Sequence, residues 1–149
     1  MTINIQIVSV CDSISKLSIS GVTIRDLDEI SASWKSIPNV LYPRPDNFIT
    51  SISVTPVELS RNKYDLKYTL NYRFLHVQLG NDAVLFVSYP TLIAKVILIA
   101  AAIITNHNLT GAVDVSFGGI SAIGALPDPV GNVYHGADFS IDVLEYLEV

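Results

Sequence analysis

The sequence is poor in the residues from which catalytic and metal sites are most often built. It contains one cysteine and three histidines among 149 residues, and only 15% of its residues are charged. A single cysteine excludes a disulfide within the chain and any metal site that needs two thiolates. Cys11 falls at an apolar position of a candidate helix, so we expect a small buried side chain there and not a nucleophile.

The histidines and glycines match no common catalytic or nucleotide-binding signature. His76, His107 and His135 lack the i, i+4 spacing of a helical zinc site, and neither a G-x-S-x-G turn nor a phosphate-binding glycine loop is present. The sequence therefore predicts no enzyme, no cofactor and no metal site. A Ser-His-Asp triad assembled from distant residues stays open as an alternative, because its members need not be close in sequence.

Basic residues are also scarce. Nine Lys and Arg stand against 14 Asp and Glu, which gives a net charge of −5. Affinity for duplex DNA depends on clustered Lys and Arg, so we expect no sequence-specific binding of nucleic acid. An acidic surface remains compatible with the passage of DNA through a lumen to which it does not adhere.

The longest apolar stretch, Leu92–Ile104, is shorter than the roughly 20 residues that span a membrane. It contains Lys95 and follows Pro90, so we expect a core helix and no membrane partner. The N-terminus has no basic stretch before its apolar residues, which predicts that no signal peptide is present. The lone cysteine fits a reducing cytosol.

Apolar residues, in contrast, are abundant and make up 50% of the chain. This composition has two interpretations that stay open: a well-filled single domain, or a subunit that buries part of its surface against copies of itself. The length favours one domain over residues 1–149.

A long alternating segment, Tyr64–Phe74, is the clearest structural signal. Its even positions are apolar or aromatic and its odd positions are polar, as in a strand of an antiparallel sheet that is covered on one face only. We interpret its polar face as a possible subunit or lumen surface, formed by Lys67, Thr69, Asn71 and Arg73.

The remaining pattern predicts an α+β fold, mainly an antiparallel sheet with a long hairpin, one buried central helix and an N-terminal helix packed on one face. The predicted elements are an N-terminal helix 3–18, a hairpin 48–76, a helix 89–106 whose centre, Val96–Ile104, is apolar all round, and C-terminal strands 112–147. Thr2 is a candidate N-cap, although Ile3, Ile5 and Ile7 also alternate as in a strand. Residues 118–136 are predicted as a long loop, within which a short strand at Ile120–Leu126 stays open, and residues 37–46 as an irregular proline-rich connector.

This order of elements resembles the tail terminator and tail-completion proteins of long-tailed bacteriophages. The segments that carry the resemblance are Val22–Ile30, Leu41–Pro45 and Tyr134–Phe139, placed around the hairpin and the apolar helix. The resemblance implies a subunit without enzyme activity that forms a ring, commonly a hexamer. Such a ring caps the tail tube and joins it to the head connector protein, so that the protein belongs to the virion tail or neck and to the host cytoplasm during assembly.

Under this hypothesis, replacing Lys67 and Arg73 with Glu is expected to disturb assembly and to leave the fold intact. Two alternatives stay open. One is a different head–tail connector or a tail tube subunit. The other is a small enzymatic or ligand-binding domain with a cleft near the 118–136 loop.

Overall fold

A six-stranded sheet carries two helices on one of its faces in the computed structural model. The structure describes residues 3–59, 61–79, 85–109 and 113–149. The elements in chain order are helix α1 (Ile7–Ser15), strand β1 (Thr23–Ile24), a 3₁₀ turn (Leu27–Glu29), strands β2 (Val40–Pro43), β3 (Ile49–Pro56) and β4 (Lys63–Gln78), helix α2 (Leu85–Thr105), and strands β5 (Val113–Pro127) and β6 (Val133–Glu148). The predicted α+β class is confirmed.

The strand order is β1-β2-β4-β6-β5, and β3 also pairs with β4. Strands β2 and β3 share one edge of β4: β2 lies opposite residues 72–75 and β3 lies opposite residues 64–70. All pairs are antiparallel except β1 with β2. The predicted hairpin is therefore present, and its first strand forms an arm at the side of the sheet.

The alternation of β4 is confirmed by burial. Leu66, Tyr68, Leu70, Tyr72 and Phe74 are buried, whereas the odd positions between them are exposed or half-buried. The buried set joins residues of both helices and of β6 in one main core. The sheet thus has one apolar face beneath the helices and one polar face.

A second, smaller core lies on the other face of the sheet and corrects the expectation for residues 37–46. This segment was expected to be irregular, but Val40–Pro43 forms a strand. Its Val40 and Tyr42 pack with Leu75 and Tyr134. Proline is tolerated here because Pro43 is the last residue of the strand, where a missing N–H costs little.

Helix α1 is shorter than the predicted 3–18. It begins at Ile7. The Gln6 N–H, which has no partner within the helix, donates a hydrogen bond to the Glu145 carboxylate at 2.8 Å. The candidate cap Thr2 lies outside the described residues. Cys11 is buried as expected, and burial raises the pKa of its thiol to about 11, which keeps the thiol protonated near neutral pH.

Helix α2 begins at Leu85, four residues before the predicted start, so Pro90 lies inside the helix instead of in its first turn. Its inner side is buried, through Leu92, Val96, Ile99 and Ile103. Its other side is exposed. The apolar pattern of this helix predicts that it is covered on more than one side, the second side by the N-terminal helix or by another subunit. Within the single chain only the inner side is buried.

The prediction of a long loop over residues 118–136 is wrong. Strand β5 continues to Pro127 and β6 begins at Val133, which leaves a short turn between them. The register shifts between Phe117 and Gly119, and Gly119 has a φ of +110°. Glycine adopts this backbone conformation without steric cost, so Gly118 and Gly119, which suggested a loop, belong to a bulge in a long strand.

Candidate functional site

The structure brings all four residues of the predicted surface to the polar face of β4, but only Lys67 is fully exposed. Thr69 donates to the Asp142 carboxylate at 2.8 Å. The Asn71 side chain donates to the Asn47 carbonyl at 2.8 Å and so ties the start of the arm to β4. Lys67 and Thr69 border a polar groove of about 400 Å³.

Arg73 is mostly buried and bound within the chain. It forms a bidentate ion pair with Asp138, with Nε and Nη2 at 2.6 and 2.8 Å from the two carboxylate oxygens. Its Nη1 donates to the Pro127 carbonyl at 2.7 Å. Burial alone would lower the pKa of Arg73, but the hydrogen bond and the charge of Asp138 outweigh burial and raise it. Arg73 therefore joins β4, β6 and the end of β5, and is not free for a partner.

A cavity of about 300 Å³ lies beside this ion pair, walled by Tyr42, Pro45, Pro127 and Pro129. Its charged groups already have partners. Arg44 forms an ion pair with Asp46, with its Nη2 atom 2.9 Å from the carboxylate oxygen Oδ2. Asp128 accepts hydrogen bonds from the backbone of Ser36, Val130 and Asn132 and from the Asn132 amide.

These hydrogen bonds decide how the Asp128 carboxylate behaves. Burial would raise its pKa, but the hydrogen bonds outweigh burial and lower it. Because the arginines and aspartates of the cavity neutralise one another, the cavity offers a ligand few unused polar groups.

Two buried histidines lie beneath the first turns of α2. His76 contacts the Asn39 side-chain oxygen at 2.6 Å and the Thr91 hydroxyl at 2.9 Å. His135 is in hydrogen-bond contact with the Ser88 hydroxyl, and the edge of its ring meets Tyr89. Burial lowers the pKa of both histidines, and the charges of His135 and Lys95 lower that of His76 further. The pair is thus neutral near pH 7.

These histidines do not form part of a metal-binding cluster. Among residues 3–59, 61–79, 85–109 and 113–149, no three His, Cys, Asp or Glu side chains lie close enough together to hold a metal ion. The neutral histidines act instead as hydrogen-bonding links between β4, β6 and α2, which is the usual role of a buried polar group with a partner.

The outer face of α2 is the largest feature that reasoning from the sequence did not place correctly. We define it by its exposed large apolar side chains, which are Val87, Ile93, Ile97, Leu98 and Ile104. The only charged residue of α2, Lys95, is half-buried and donates to the Ser20 carbonyl at 3.2 Å. No charge therefore interrupts this face. The sequence signal was the absence of polar residues around the centre of the helix, Val96–Ile104.

The arm β3 is a second exposed apolar feature. Val54 pairs with Leu66, whose side chain is buried, and directly opposite residues share a face of the sheet. Ile52 lies within the register shift between Thr50 and Ser53, where simple alternation does not assign a face. The side chains of Ile52 and Val54 are nevertheless about 60% exposed, at 63% and 60%, because the helices do not extend over the arm.

Comparison with known proteins adds no family to this geometry. No family model matches the chain, and no curated protein matches its sequence.

Proposed function

We propose that this chain is a structural virion protein of the tail terminator type, which forms a ring that caps the tail tube and joins it to the head connector protein. The observation that carries the proposal is the outer face of α2. It is about 30 Å long, at 1.5 Å for each of its 21 residues, and it is apolar and exposed. Exposed apolar patches of this size mark interaction surfaces, and copies of the chain are the partner that the resemblance to ring-forming subunits implies.

A membrane is the competing partner for an apolar helix. By length and composition, Val87–Thr105 is able to cross a membrane. Two observations favour protein contact. The inner side of the helix, with Leu92 and Ile99, is part of the main core, so insertion would remove it from the fold. Helices that lie on membranes carry Lys and Arg beside the apolar face, whereas α2 has only Lys95, which bonds Ser20.

In this proposal the polar face of β4 and β6 lines a subunit boundary or the lumen. Lys67 is an exposed cation on this face, and Asp114 and Asp142 border the same groove. An acidic lumen would let DNA pass without adhering, because phosphates are repelled by carboxylates. The protein would act in the virion tail or neck after assembly in the host cytoplasm, without a cofactor or a reaction of its own.

Electron microscopy of the purified protein, alone and mixed with tail tubes, tests this proposal. Closed rings, and rings at the ends of tubes, are the expected result. Long tubes formed by the protein alone would instead favour the alternative of a tube subunit, because tube proteins stack. Light scattering that shows only monomer at high concentration, with and without tail tubes, would overturn the proposal.

A further inference from the structure

The arm and the outer face of α2 lie at opposite sides of one subunit. The arm β3 pairs with β4 on the side away from β6. Helix α2 packs mainly on β5 and β6, and β5 is the last strand on that side. The two apolar surfaces are thus separated by up to three strand spacings, roughly 14 Å across the sheet, and do not cover each other.

We propose that the arm of one copy binds the outer face of α2 in the next copy, through the exposed side chains of Ile52 and Val54. This inference rests on the proposed function, since it names the junction from which the ring is built. A contact between two different surfaces of the same chain is heterologous. Such contacts close into a ring when the rotation between copies permits it, and a closed ring covers both surfaces of every copy.

Charge supports a second copy as the occupant. Each copy carries a net charge of −5, so two copies repel each other except where they meet through uncharged surfaces. Residues 49–57 of the arm contain no charged residue, and the outer face of α2 contains none either. Within residues 64–70, the part of β4 that pairs with the arm, the charged residues are Asp65 and Lys67. They pair with Thr55 and Ser53 and so lie on the opposite face from Val54.

The test uses two variants with matched controls. Val54→Asp places a carboxylate on the apolar side of the arm, and its control Gln78→Glu adds the same charge at the far end of β4, outside the arm. Ile97→Asp places a carboxylate on the outer face of α2, with Asn108→Asp as its control for net charge. All four positions are exposed, so circular dichroism and thermal unfolding are expected to match the wild-type protein.

Analytical ultracentrifugation then measures the assembly of each protein and of a mixture. We expect rings from the wild-type protein and both controls, and at least a tenfold loss of oligomer for Val54→Asp and for Ile97→Asp. A 1:1 mixture of these two variants is expected to form a dimer of twice the monomer mass and nothing larger. The first variant retains an intact α2 and the second an intact arm, so the mixture has one working junction.

Three outcomes would overturn the inference. If wild-type rings form and Val54→Asp still forms them, the arm has no part in the junction, although the ring itself stands. If both variants are monomeric and their mixture is also monomeric, the arm does not bind α2. If Val54→Asp dimerises alone, two copies of α2 bind each other instead. Should Val54→Asp fail to fold, Val54→Asn, which is polar but uncharged, replaces it.

A separate result would overturn the proposed function, and the inference with it. This is a wild-type protein that stays monomeric with and without tail tubes.

Discussion

Arg73 joins three strands through one guanidinium group. It bonds both carboxylate oxygens of Asp138 on β6 and the Pro127 carbonyl at the end of β5. The side chains of Arg73 and Asp138 are only 12% and 6% exposed. An ion pair removed from water in this way is costly to break from one side, because the remaining charge stays buried without a partner.

We therefore expect Arg73→Ala to lower the free energy of unfolding by about 3–5 kcal/mol. Lys67→Ala, on the same face of the same strand, is expected to change it by less than about 0.5 kcal/mol because Lys67 is exposed. Urea denaturation followed by circular dichroism measures both values. Equal effects of the two substitutions would contradict the structural role of Arg73.

The difference between buried Arg73 and exposed Lys67 also corrects the double substitution that the sequence alone suggested. Replacing Lys67 and Arg73 together with Glu was expected to spare the fold, but a carboxylate at position 73 would face Asp138. Lys67→Glu alone is therefore the substitution that tests whether this face contributes to assembly.

The buried histidines predict a pH dependence of stability. Burial depresses the pKa of His76 and His135 in the folded chain, so below about pH 6.5 the unfolded chain binds more protons than the folded chain. The two neutral histidines contribute to the free energy of unfolding above about pH 6.5. This contribution is lost as the pH falls below that value and the folded-state histidines become protonated. We expect the midpoint temperature of thermal unfolding to decrease as the pH is lowered from 7 to 5.

The double variant His76→Gln/His135→Gln is expected to show a flatter profile over that window. Asn108→Gln, at an exposed position without a titratable side chain, serves as the control and is expected to keep the wild-type slope. Asp46 and Asp128, whose pKa values are lowered, lose their contribution only when the pH falls through and below about 4. A double variant with the wild-type slope at pH 5–7 would contradict this account.

At the scale of elements, α2 has one side for its own core and one side for a neighbour. Ile99 is fully buried, and Ile97 is 61% exposed. In dilute solution we expect Ile99→Ala to cost about 2–5 kcal/mol because it leaves a cavity. Ile97→Ala is expected to change the stability of the monomer by no more than about 0.5 kcal/mol.

Denaturant unfolding at low and high protein concentration measures this pair. Ile97→Ala is expected to reduce the dependence of stability on concentration, since assembly stabilises the folded chain by mass action. A large loss for Ile97→Ala in dilute solution would show that this side chain belongs to the subunit's own core.

The strands show which elements the local pattern of apolar and polar residues predicts and which it does not. The alternation of Tyr64–Phe74 identified β4 because its apolar side chains all face one core. Strand β5 was not identified, since Gly118, Gly119 and Gly124 resemble a loop until the ladder with β6 is known. The start of α2 was misplaced because proline is common in the first turn of a helix, and Pro90 lies deeper.

The sequence predicted which face of β4 carries the four residues of the candidate site, but not which residues their side chains contact. Alternation placed Lys67, Thr69, Asn71 and Arg73 on one face, which the structure bears out. It carried no information about Asp138, which lies 65 residues from Arg73. Likewise, the apolar pattern of α2 indicated a partner on each side, but only the fold shows which side the chain covers itself.

For the whole molecule, the net charge of −5 opposes assembly through long-range repulsion. If apolar surfaces hold the copies together, raising the salt concentration screens this repulsion and leaves the contact intact. We expect the oligomer fraction to increase between low salt and about 0.5 M NaCl, measured by sedimentation velocity. A decrease would indicate that ion pairs, and not the apolar surfaces, hold the ring together.

The position of β6 has a consequence for synthesis on the ribosome. Strand β6 follows both β4 and β5 along the chain, yet it lies between them in the sheet, with pairs such as Tyr68 and Val143 that are far apart in sequence. Until β6 emerges, neither neighbour has its ladder partner on that side, and the Glu145 carboxylate that accepts a hydrogen bond at the start of α1 is missing. The nascent chain therefore cannot complete its sheet until β6 has been synthesised.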